Sequence, residues 1–117
     1  MELTITIKGK FPDLNLIITT AKWHWGEYKE MKQLHTDAVT WQVKRHPQVG
    51  RVHITFTWYC KDRRTDPDNV AAGKKFVLDG LVEAGVLKGD GWKYIAGFED
   101  KFDIGEPRVE LVMREVE

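Results

Sequence analysis

The residues from Arg63 to Gly80, "RRTDPDNVAAGKKFVLDG", set Asp66, Asp68 and Asp79 around a predicted helix, with Lys74 and Lys75 between them. Carboxylates two residues apart at a helix start can turn toward one divalent cation, and a nearby lysine can neutralise charge on a phosphate. Mg²⁺ takes oxygen ligands in an octahedron, a few from carboxylates and the rest from water and substrate phosphate. Asp66 and Asp68, with Asp90 from the "KGDG" turn, supply such a set, and Asn69 adds a neutral oxygen or an amide donor. On a helical wheel Asp68, Lys75 and Asp79 fall within about 40° of one another, while Val70, Val77, Leu78, Leu81 and Ala84 lie on the far side.

Ordinary roles compete for each residue. An Asp at position 66 or 68 is a natural N-cap. Lys75 and Asp79 form a common i,i+4 surface pair, and Asp90 between glycines suits a turn. Other sites are excluded. A calcium loop fails because Val70 occupies the next ligand position and no Glu closes the loop. "AAGKKF" lacks the earlier Gly and the Ser/Thr of a phosphate-binding P-loop. His24, His35, His46 and His53 are scattered and Cys60 stands alone, so there is neither a zinc spacing nor an internal disulfide.

The elements that must position these residues follow from periodicity. "ELTITIKG" alternates Leu3, Ile5 and Ile7 against polar residues and predicts a half-buried strand. "KFPDLNLIITTAKWHWG" has no clean period and reads as a long, partly ordered loop. From Glu27, Tyr28, Met31, Leu34, Ala38 and Trp41 recur at helical spacing and predict a core-facing stripe that ends before Pro47. "RVHITFTWY" alternates Val52, Ile54, Phe56 and Trp58 inward, a clear strand. A second helix is predicted from about Pro67 to Ala84, with Gly85 as its C′ residue. Strands are expected at "WKYIAGFEDKF" and "RVELVMREV", where Val109, Leu111 and Met113 share a face. The expected fold is α+β: a small mixed sheet with two main helices on one side, in the order β-α-β-α-β-β. Trp41 and Trp58 are expected in the core. Trp23, Trp25 and Trp92 fall in less regular stretches, suited to DNA stacking or a dimer contact.

A chain of 117 residues makes one domain, residues 1–117. Eighteen basic and eighteen acidic residues cancel, which argues against a protein that coats nucleic acid by charge alone. A nuclease stays open, because metal-ligand aspartates lower the charge of the metal-free protein. No apolar run suits a membrane span, "MELTITIKGK" lacks a signal-peptide pattern, and a cytoplasmic location is expected.

Taken together, "RRTDPDN", Lys75 with Asp79 in "KKFVLDGL", "EAGVL" and Asp90 in "KGDG" resemble the RusA family of Holliday-junction resolvases. The resemblance covers most of the chain and is specific from Arg63 to Asp90. It implies a homodimer that binds four-way DNA junctions and cuts two strands symmetrically with Mg²⁺, Mn²⁺ being a possible substitute. Carried over by position, Asp66, Asp68 and Asp90 would be metal-binding catalytic carboxylates, Lys75 the catalytic lysine and Asp79 a supporting acid. Lys61, Arg63, Arg64, Asn69 and Lys74 would contact DNA. The chain departs from the family at two points. Three extra residues separate Asn69 from the Lys/Asp pair, so Ala72 stands where the shortest family pattern has Lys and Lys74 competes with Lys75. Asp90 is followed by Gly91 rather than a second acid. Two other functions compete: a catalytically inactive junction-binding dimer on the same scaffold, and a Mg²⁺-dependent nucleotide phosphohydrolase.

Overall fold

The computed structural model describes residues 1–117 as a four-stranded mixed sheet with helices against one face. The elements are β1 (Glu2–Lys8), α1 (Leu14–Trp23), α2 (Trp25–Val43), β2 (Val52–Cys60), α3 (Pro67–Ala71), α4 (Lys74–Glu83), β3 (Ile95–Ile104) and β4 (Arg108–Glu115). The sheet order is β1-β4-β2-β3. β4 runs antiparallel to both β1 and β2, while β2 and β3 are parallel.

Period-2 patterning accounts for three of the four strands. Val52, Ile54, Phe56 and Trp58 of β2 are buried, as are Ile5 and Ile7 of β1 and Val109, Leu111 and Met113 of β4. They meet Val39, Val43, Val77, Leu78 and Leu81 from the helices in one apolar core. β3 keeps no residue fully buried and forms one edge of the sheet. Its link to β4, Gly105–Pro107, passes over the end of β2, where Gly105 N–H donates to the Cys60 carbonyl at 2.9 Å. No helix is long and apolar enough to cross a membrane.

Three sequence expectations are corrected. The stretch read as a loop contains α1, started by Asp13, whose Oδ1 accepts from Leu16 N–H at 2.9 Å; α2 then begins at Trp25, before the expected start.

The stripe expected to face the core on α2 is not its buried face: Tyr28 and Met31 are half-buried and the rest of it is exposed. Leu34 is 66% and Trp41 70% exposed, whereas Thr36, Val39 and Val43 are the buried residues. The reason lies on α4. Gly80 has no side chain, so Val39 packs onto its backbone, and a Cβ on Gly80 would sit 2.4 Å from Val39 Cγ1. The helices therefore close along the Val39 side rather than the Leu34 side. Lys44 Nζ lies 3.6 Å above the exposed Trp41 ring.

The single helix expected from Pro67 to Ala84 is interrupted at Ala72–Gly73, so the chain has more helices than the two main ones predicted. There the hydrogen bonds tighten to i→i−3, with Gly73 N–H on the Val70 carbonyl and Phe76 N–H on the Gly73 carbonyl. Gly73 is pressed against an aromatic corner: a Cβ there would lie 2.9 Å from Phe11 Cβ and 3.2 Å from Trp58. The helix gives way where only glycine fits. Gly85, at φ +81°, is the left-handed residue that ends α4, as expected.

Candidate active site

The loop from Lys61 to Thr65 carries the chain from the end of β2 to α3, and α3 delivers Asp66 and Asp68. Pro47 ends the region after α2; Pro67 instead opens α3 at a position whose N–H needs no helical partner. Asp66 holds the N-cap backbone position, and its carbonyl accepts from Asn69 and Val70 N–H at 3.0 and 3.1 Å. Its carboxylate, however, makes no capping hydrogen bond. Asp68 Oδ1 accepts only from the neighbouring Asn69 N–H at 2.9 Å. Neither carboxylate has a cationic partner within 4.0 Å. Capping, the usual reason for an aspartate here, is absent at both.

One turn further on, α4 opens with two lysines of opposite fate. Lys74 points back to the sheet, where its Nζ donates to Asp100 Oδ2 of β3 at 2.7 Å and lies 5.1 Å and 4.6 Å from the Phe56 and Phe98 ring centres. Trp58 Nε1–H donates to the other oxygen, Asp100 Oδ1, at 2.9 Å. Lys75 points outward, 59% exposed, with its Nζ 3.1 Å from Asp79 Oδ1 and 4.0 Å from Asp90 Oδ2. Lys32 of α2 reaches Asp79 from the other side at 3.9 Å. Asp79 thus anchors two lysines, and Asp90 approaches the outer one.

The structure gathers Lys75, Asp79 and Asp90, and it leaves Asp66 and Asp68 unpaired at the start of α3. No three Asp, Glu, His or Cys side chains converge on one point, so Asp90 is not drawn in beside Asp66 and Asp68. The donors of α3 are nevertheless all oxygen, and Mg²⁺ is commonly held by one or two carboxylates with water and phosphate oxygens completing its shell. That chemistry suits Mg²⁺ or Mn²⁺ at Asp66 and Asp68.

A cleft of about 390 Å³ opens beside α3, between the β1–α1 loop, the end of β2 and the start of β4. Lys10, Lys61, Arg64 and Arg108 give it four cations against the acids Asp13 and Asp62. Arg64 is loosely tied to Asp62 at 3.8 Å, and Arg108 lies over the Tyr59 ring at 3.7 Å. Arg63 is exposed and has no acidic partner, and the Asn69 side chain makes no hydrogen bond. The Tyr59 phenol is pushed up, first by its hydrogen bond to Glu110 and then by burial, and burial pushes the Cys60 thiol up. Both groups stay protonated at neutral pH and serve the cleft as polar wall, not as nucleophiles.

Asp100, Lys32, Lys10 and Arg108 escaped the sequence reading. Asp100 lies 26 residues from Lys74, and no local spacing marks such a pair. Lys10 carried a faint signal, since it follows the strand residue Lys8 and Gly9, whose φ is +113°. No protein-family model matches the chain, and no curated protein matches it either.

Proposed function

We propose that the chain is a Mg²⁺-dependent endodeoxyribonuclease that resolves four-way DNA junctions, as its resemblance to the RusA family implies. The observation that carries this reading is the contrast at the two helix starts: Asp66 and Asp68 unpaired on α3, and an exposed Lys75 held by Asp79 and Asp90 on α4. A purely structural helix start would use its aspartates as caps. Here the caps are missing, and the outer lysine, paired with Asp79 at 3.1 Å, also lies 4.0 Å from Asp90.

In this reading Asp66 and Asp68 hold the cation, which when bound supplies Lewis acidity at the phosphate oxygens. Lys75 donates to the phosphate as negative charge grows in the transition state, an interaction that such preorganised donors make strongest when water is excluded. Asp79 keeps the ammonium aimed, and Lys32 keeps Asp79 in place. Lys74, already paired with Asp100, positions the start of α4 against the sheet; this favours Lys75 as the catalytic lysine. Lys61 and Arg64, with Lys10 and Arg108, line the cleft beside α3 and suit the DNA backbone flanking the cut. Hydrolysis would leave a 5′-phosphate and a 3′-hydroxyl. Two symmetric cuts need two such sites, hence a homodimer.

The test is a labelled mobile four-way junction incubated with the protein in Mg²⁺ or EDTA, beside Asp68→Asn and Lys75→Ala. Paired symmetric nicks that require Mg²⁺ are expected, with Asp68→Asn inactive and Lys75→Ala slower by about 10²–10³-fold. Tight junction binding without cleavage in Mg²⁺ or Mn²⁺ would overturn the enzyme and leave a junction-binding protein. Hydrolysis of free nucleotides with no action on DNA would instead favour a phosphohydrolase.

A further inference from the structure

The two edges of the sheet are built differently. β1, at one edge, is a seven-residue strand that buries Ile5 and Ile7 under the helices and shows mainly polar residues outside. β3, at the other edge, runs for ten residues and leaves Phe98, Phe102 and Ile104 exposed at 42%, 41% and 44%. These three residues oppose Ile54, Trp58 and Cys60 in the parallel register, so Phe98 and Phe102 lie on the helix side of the sheet, level with the core but beyond its cover. A long edge strand with exposed apolar residues and no proline, regular from Gly97 to Ile104 with its one bulge at Ala96, invites pairing.

We infer that β3 pairs with β3 of a second copy of this chain, antiparallel about a two-fold axis at Asp100, making one continuous eight-stranded sheet. In that register Glu99 faces the partner's Lys101 and Lys101 faces the partner's Glu99. Phe98 meets the partner's Phe102. Opposite charges fall together on the open face and aromatic rings fall together on the helix face, the pairs that stabilise neighbouring strands. Shifting the register by two residues sets Glu99 against the partner's Glu99, or Lys101 against the partner's Lys101. A shift by one places the apolar residues opposite charged ones. At the axis the two Asp100 carboxylates come together, but each is already balanced by Lys74 at 2.7 Å and bonded to Trp58 at 2.9 Å.

The geometry has a consequence for the site. A two-fold axis perpendicular to the sheet keeps both helix layers on one side, so both Lys75 clusters face the same way, each a short distance along the chain from a Lys74 tied to the pairing strand. That arrangement suits one substrate presenting two equivalent strands. The pairing itself stands without the nuclease reading, since β3 is self-complementary whatever the chain acts on.

Charge reversal tests it, because Glu99 and Lys101 are exposed; within the protomer they lie 3.9 Å apart, and Glu99 otherwise accepts only a long 3.5 Å hydrogen bond from the Thr55 hydroxyl. The full chain, Glu99→Lys and Lys101→Glu are compared by sedimentation equilibrium over a range of concentrations. The parent chain is expected to dimerise, and each single variant to dissociate with a dimer constant weakened by about tenfold. Mixing the two variants restores opposite charges across the pairing and should recover the dimer as a heterodimer. A parent chain monomeric at high concentration overturns the inference, as does a dimer indifferent to both reversals, which would place the contact elsewhere. Junction cleavage assayed on the same samples reports separately: a β3-paired dimer that leaves junctions uncut removes the nuclease and keeps the interface, and a cleaving dimer unmoved by the reversals does the opposite.

Discussion

α3 and α4 are neighbouring turns of almost one helix, yet they do different work. α3 buries none of its residues, and the two aspartates at its start have no cationic partner. α4 buries Phe76, Val77, Leu78, Gly80 and Leu81, and every charged residue of its first two turns is paired. The break at Gly73 lets one segment serve the core while the other presents free carboxylates to solvent. Core packing and free carboxylates are thus separated over a few residues, and just past the break Lys74 turns to the sheet while Lys75 turns to solvent.

Substitutions should expose that boundary. The largest effect on stability is expected from Leu81→Ala, which removes a fully buried side chain and should cost about 2–5 kcal/mol in chemical denaturation. Gly80→Ala comes next, at about 1–3 kcal/mol, because its methyl group would collide with Val39 and push α2 away from α4. Lys74→Met should cost about 1 kcal/mol in the same denaturation experiment by leaving Asp100 without its ammonium partner. An equal cost in Lys74→Met and in Lys75→Met, whose lysine is 59% exposed, would erase the division drawn between the two lysines.

The pH dependence follows from His35, which packs against Phe11 and Phe76 and whose burial lowers its pKa from the ordinary 6.5. The unfolded chain then takes up the proton more readily than the folded one. Stability is therefore full above about pH 6.5 and declines as pH falls through the lowered folded value. His35→Phe should flatten that decline in thermal melts recorded between pH 5 and 8. The smallest effect is expected at the other pole: Asp66→Asn should shift stability by less than about 0.5 kcal/mol, since its carboxylate bonds to nothing in the protein. A loss of several times that amount would mean the carboxylate has a structural partner, and would weaken its role as a cation ligand.

Where one face of an element is buried and the other is not, the fold could be read in advance. β1, β2 and β4 follow directly from alternation, because a strand with a single buried face has only one register that hides Ile5, Ile54 or Leu111. α2 defeated the same logic because it carries two apolar stripes. Choosing between Leu34 with Trp41 and Val39 with Val43 depends on a glycine 41 residues beyond Val39, a tertiary fact. α1 had a visible start in Asp13, but Pro12 and the run of threonines hid its period. At the candidate site, Lys75 and Asp79 were legible through their i,i+4 spacing, and Asp90 through its glycine turn. Asp100 and Lys32 were not, because their partners lie across the sheet and on another helix. The Ala72–Gly73 break falls between Asn69 and Lys75, the interval where three residues exceed the shortest family pattern.

The short link from β3 to β4 also constrains how the chain reaches this state. β3 and β4 are consecutive and joined by Gly105–Pro107, yet β2 lies between them and pairs with both. The easiest nucleus for such a pair, a local hairpin, is therefore forbidden, and the closing contacts must span the roughly 40 residues from β2 to β3, which is entropically slow. The central strand is then the point of commitment. Truncations within it, such as Ile54→Val, should slow refolding in stopped-flow experiments, whereas changes in β1 should mainly hasten unfolding.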